Sequence, residues 1–83
     1  MDAKLRDEAL RAAKGVCLNI AEAAGRVSRA DKARVFAIAR GECVECIAAV
    51  EIAAAAGDAI EGAATNAVRF GTEVYLMLGA LVR

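Results

Sequence analysis

The sequence predicts an all-α fold, an up-down-up antiparallel three-helix bundle in a single domain spanning residues 1–83. Three observations carry that expectation. Apolar residues recur at three- and four-residue steps along three long segments, the periodicity of a helix face. Proline is absent and only three aromatics occur, so the usual punctuation of strands and loops is missing. Alanine supplies 22 of the 83 residues. It is the strongest helix former, and its small side chain lets helices approach closely while burying little area. A chain of this size stands near the limit at which one core suffices.

The first helix is expected over about 2–24, where Leu5, Ala9, Ala12, Val16, Ile20 and Ala24 share a face. Asp2, Asp7 and Glu8 complement the positive end of its dipole. Gly25 supplies the residue free to take positive φ at the helix stop. The second helix is expected over about 29–56. Ser28 and Asp31 stand at capping-box spacing, with Asp in place of Glu or Gln. At 1.5 Å per residue this helix is ~42 Å long. Phe36, Cys43, Ile47, Val50 and Ala54 form one stripe on it, flanked by Val35, Ile38, Cys46 and Ala49, and Gly57 ends it. The third helix is expected over about 59–82, capped by Asp58 and running through Ile60, Ala64, Ala67, Val68, Tyr75, Leu78 and Val82. Gly62, Gly71 and Gly79 either weaken it or mark close helix contacts.

The end of that third helix, Val74 to Val82, is apolar on every side. A helix apolar all round must be buried all round, and three helices cannot enclose one of their own members. Val74, Tyr75, Leu76, Met77, Leu78, Leu81 and Val82 are therefore expected to drive self-association. A fourth helix, from another copy or from a segment outside this sequence, completes the enclosure. The run of nine residues is far short of the ~20 needed to span a membrane, so no membrane partner is expected.

Eleven basic and eleven acidic residues cancel, so composition announces no nucleic-acid binder. The distribution is uneven. Residues 26–40 hold Arg26, Arg29, Lys32, Arg34 and Arg40 against Asp31, whereas residues 41–61 hold five acidic residues and no basic one. Arg26, Arg29, Lys32 and Arg34 form the one dense basic group, read either as solvated charge or as a phosphate-facing edge. Asn19, Glu22 and Arg26 lie at i, i+3 and i+7 on one side of the first helix. With Arg40 and Glu45 returning on the second, they are expected to form a cross-helix polar cluster that fixes register.

Catalytic chemistry finds little support. With no histidine, di-iron Glu-x-x-His pairs and nucleophile–histidine pairs are closed, and no phosphate-binding glycine loop is present. Cys43 and Cys46 form a CxxC in mid-helix, with Cys17 able to face them. Three thiols without histidine do not make a four-ligand zinc site, and redox CxxC motifs sit at helix N-termini after strands. No metal and no cofactor are expected, and the thiols are read as reduced, buried small side chains. The charged N-terminus is no signal peptide, and free thiols suit a reducing cytoplasm.

The residues Arg11-Ala12, Asn19-Ile20-Ala21-Glu22, Arg26-x-Ser28-x-x-Asp31, Phe36, Ile38-Ala39-x-Gly41 and Glu45 keep their spacing across two helices and the loop between them. In this the chain resembles the bacterial four helix bundle protein family, first named for proteins encoded in intervening sequences of 23S ribosomal RNA genes. Three positions depart from the pattern: Gly15 and Glu42 where serine is usual, and Ala23 where glycine is usual. The resemblance implies a further helix before the Arg-Ala motif, so that this chain is a four-helix-bundle member without its first helix, either truncated or completing its bundle by association. It further implies a homo-oligomeric ring, commonly a pentamer, and no established catalytic activity. Through accessory proteins of diversity-generating retroelements, it implies possible partners in RNA and reverse transcriptase.

Overall fold

Residues 2–57 and 61–82 are described by the computed structural model. They form three helices and no strand: α1 (Ala3–Gly25), α2 (Arg29–Ala55) and α3 (Glu61–Val82). The bounds of α1 and α2 and the end of α3 agree with the periodicity to within two residues, and the expected start of the third helix at about 59 lies outside the described residues. The expected cap Asp58, and Ile60 in the first turn of the third helix, lie outside the described residues.

Local chemistry sets the helix ends. The Asp2 carboxylate accepts hydrogen bonds from the Lys4 and Leu5 amides at 2.9 and 3.1 Å, satisfying two donors that a helix start leaves open. Ser28 Oγ accepts from the Asp31 amide at 3.0 Å. The Asp31 carboxylate does not simply complete a capping box: it accepts from the Arg26 and Arg34 guanidiniums. The expectation of positive φ at Gly25 is not met. α1 ends instead on an extended Arg26, φ −74° and ψ 151°, whose amide donates to Ala23 O at 3.1 Å. Among the described residues the left-handed conformation belongs to Gly57, φ 71°, where a side chain would be strained.

α2 is the middle element. α1 packs along one side of it and α3 along the other, while α1 and α3 nowhere bring their Cα atoms within 8 Å of each other. The Cα envelope measures 44 × 21 × 13 Å. Three helices joined in this way make an open trough with α2 as its floor.

The buried residues explain why the helices can lie so close. They are Ala12, Ala23, Val35, Ala39, Cys43, Ala49, Ala53, Ala64 and Leu78, and Val35 is the largest side chain that is fully enclosed. Ala39, Cys43 and Leu78 form the centre, with Val16, Ile20, Phe36, Val74 and Tyr75 half-buried around them. Two positions of the expected α2 stripes fall outside this core: Ile38 and Ala54 are exposed. Ala54 instead borders an open cavity with Ala64 and Val68 of α3.

The third helix divides the residues expected to drive self-association. Leu78 is a correction to that set, because it is only 2% exposed and packs in the intramolecular core. Val74, Tyr75 and Val82 are half-buried, while Leu76, Met77 and Leu81 are exposed. Gly71 and Gly79 mark close contacts: a Cβ on Gly71 would meet Ile47 Cγ1 at 2.8 Å, and one on Gly79 would meet an Arg40 guanidinium nitrogen at 3.0 Å. Gly62 faces open space. No helix among the described residues is long and apolar enough to cross a membrane.

Candidate functional site

The trough is a concave feature to which all three helices contribute. It has a volume of about 530 Å³ and takes its walls from Val16 and Ile20 of α1 and from Phe70 and Val74 of α3. Cys43, Ile47 and Val50 of α2 form its floor. These are the inward stripes of all three helices, brought together because α2 is shared and α1 and α3 do not close over it. Phe70, 70% exposed, stands on the rim. A lining so poor in polar groups offers shape and apolar area and no acid–base chemistry.

The cysteines lie along this trough. Cys43 is buried with its thiol 3.8 Å from Gly71 O, and Cys46 is half-buried with its thiol 3.6 Å from Ala9 O. Burial pushes both thiols above the usual cysteine range. Cys17 corrects the expectation of burial, since it is exposed at the α1 rim. Among the described residues no group of three or more Cys, Asp or Glu side chains converges as a metal site would require.

The polar residues form two clusters where one was expected. At the α1–α2 loop, Arg26 pairs with Glu22, and its guanidinium donates to Asp31 at 3.2 Å. Arg34 donates to the same carboxylate at 3.1 Å. These guanidiniums, Arg34 foremost, hold the Asp31 carboxyl below its usual range. Asn19 does not join them, because its side-chain amide donates to Gly15 O at 2.9 Å. At the far end of the same helix pair, Arg11 is a hub. Its guanidinium donates to Glu8 and Glu45 at 2.6 Å each and to Glu42 at 3.4 Å. The bond to Arg11 lowers the Glu8 carboxyl, and the Arg11 guanidinium is raised chiefly by Glu8 and Glu45.

Arg11 was visible in the sequence but its role was not. The loop sets an antiparallel register that places position 26 beside 31, and the same register places 11 beside 45. Arg40 is the other residue whose place was missed. It does not pair with Glu45; it lies over the Tyr75 ring, 4.1 Å from the centroid, with its Nε buried and unpartnered. Of the four cations of the basic edge, Arg26 and Arg34 are in ion pairs and Lys32 Nζ donates to Ala24 O at 3.2 Å. Arg29 is exposed.

A family model described as 23S rRNA-intervening sequence protein matches residues 1–79. The chain belongs to that family. Comparison with curated proteins and with solved structures finds no match. The intervening-sequence protein pattern has a physical basis in this fold. Phe36 packs half-buried against the central cluster, Ser28 caps α2, and Arg11 and Glu45 tie α1 to α2. Gly41 is exposed with nothing within 4 Å of a would-be Cβ, and nothing within the chain explains it. Two of the departing positions are neighbours in space: a Cβ on Gly15 would lie 2.8 Å from Glu42 Oε2, so the glycine leaves room for that carboxylate as it is placed. The third departure, Ala23, fills a fully buried position.

Proposed function

We propose that this intervening-sequence family protein is a non-enzymatic helical-bundle module that works by self-association, in a structural or adaptor role. The exposed apolar surface, the open trough with Phe70 on its rim together with the C-terminal part of α3, is the observation that supports it. Phe70, Leu76, Met77 and Leu81 are each more than half exposed, and leaving four such side chains in water forgoes roughly 6–12 kcal/mol at ~1.5–3 kcal/mol each. That is comparable with the whole stability of a typical domain. Exposed strips of this kind mark interfaces. An RNA-binding accessory role is less well supported, because three of the four basic-edge cations already hold acceptors within the chain.

Light scattering at micromolar concentration tests the proposal. The expected result is a discrete mass at a multiple of the 8.6 kDa chain, with five copies the number the family resemblance favours. A folded, dispersed monomer overturns it.

A further inference from the structure

The face of α2 opposite the trough carries a second pattern. Gly41, Val44 and Ala48 are exposed there and follow one another at three- and four-residue steps. Small side chains along this stripe permit another helix to approach closely. Val44 and Ala48 share a shallow groove with Tyr75 and Glu51. Arg40 stands at one end of the stripe, laid over the Tyr75 ring, and Glu51 stands at the other.

The two charges lack a carboxylate or cationic partner among the described residues, although Arg40 rests on the Tyr75 ring. In this they contrast with the ion-paired Arg11, Arg26 and Arg34. They are also in phase: eleven residues is three helical turns plus about 20°, so both lie on one side of the stripe, ~16 Å apart. A cation and an anion placed symmetrically about a point near residues 45 and 46 are complementary to themselves under a two-fold axis at that point. Antiparallel pairing of two α2 helices brings Arg40 of each copy against Glu51 of the other, and both bridges form at once.

We propose that the outer face of α2 is an isologous interface with a second copy of this chain, registered by reciprocal Arg40–Glu51 ion pairs. This rests on the self-association reading and assigns it a face distinct from the trough. A two-fold contact closes on itself, so it adds a pairing step to whatever the trough builds. Ion pairs fix register and partner choice at such contacts more than they add affinity, and they respond to salt.

Charge reversal in the full chain tests it. Arg40→Glu, Glu51→Arg and the double variant are compared with the wild type by sedimentation equilibrium, with circular dichroism to verify folding. The expected result is that each single reversal raises the dissociation constant of pairing at least about tenfold and that the double variant restores it. Glu51 is exposed and serves as the informative single change if Arg40→Glu disturbs the Tyr75 stack. Singles that keep the wild-type dissociation constant while the oligomer persists overturn this interface and leave the trough reading standing. Weakened singles without restoration in the double also overturn it, and this includes the case in which Arg40 serves a nucleic-acid phosphate. A wild type that is monomeric at every concentration overturns both readings.

Discussion

Residue-scale chemistry in this chain is sorted by where α1 and α3 leave α2 uncovered. Cys17 and Cys43 both border the trough, yet one is exposed and the other enclosed. A maleimide at neutral pH and low protein concentration is therefore expected to label Cys17 quickly, Cys46 more slowly and Cys43 last. The raised thiols of Cys43 and Cys46 widen the gap, because the thiolate is the reactive form. Mass spectrometry of timed aliquots reads the order, and Cys43 labelling first would contradict the packing. The carboxylates set the acid response. Glu8 and Asp31 titrate below their ordinary values in the folded chain, held there by Arg11 and by Arg34 and Arg26. Depressed folded-state carboxyls give stability that is present above the unfolded value of about 4 and lost as pH falls through the folded one. Melting temperature should be flat from pH 7 to about 5 and fall below about 4. Glu8 is exposed and Asp31 partly so, and the fall should therefore be shallow and weakened further by salt.

At the scale of the element, glycine substitutions separate helix propensity from helix contact. Gly41 and Gly62 face open space, so alanine there should stabilise the chain by up to ~1 kcal/mol each, read as a raised denaturation midpoint. Gly71 has the same intrinsic preference but faces Ile47, and overpacking costs typically 1–3 kcal/mol. Gly71→Ala should therefore be neutral to destabilising, and a gain equal to that at Gly62 would show that α2 and α3 do not meet there. A gain at Gly62 with a loss of assembly at Gly41 would place a neighbouring copy on the outer face of α2. The contrast also shows what was legible beforehand. Helix positions, the Ser28 cap and the loop register follow from local spacing, because caps and periodicity act within a few residues. Which glycine meets a neighbour does not, since Gly62 and Gly71 look alike until α3 is placed on α2. Arg40 escaped for the same reason: its partner, Tyr75, lies on another helix whose register no short motif sets. Leu78 could not be told from Leu76 or Met77 in a run that is apolar on every side.

The whole molecule is a fold whose enclosed core is mostly alanine and whose larger apolar side chains lie at the trough and on outer faces. That inverts the usual distribution, in which leucine and phenylalanine fill the centre. The consequence is that stability and assembly should be one quantity. A partner that binds only the folded chain stabilises it by mass action, so the melting temperature should rise with protein concentration. Phe70→Gln isolates the effect. In the isolated chain Phe70 is 70% exposed, and changing an exposed helical residue to a good helix former alters intrinsic stability by no more than about 0.5 kcal/mol. If the trough is covered by another copy, the same change places a polar amide in an apolar contact, which costs roughly 1–3 kcal/mol. The variant should then match the wild type at high dilution and melt well below it at high concentration, with Cys17 staying open to labelling where the wild type becomes protected. Calorimetry across a hundredfold range of concentration decides the matter. Parallel curves for the two proteins, flat with concentration, would mean that the trough stays open to water and that the molecule does its work as a single chain.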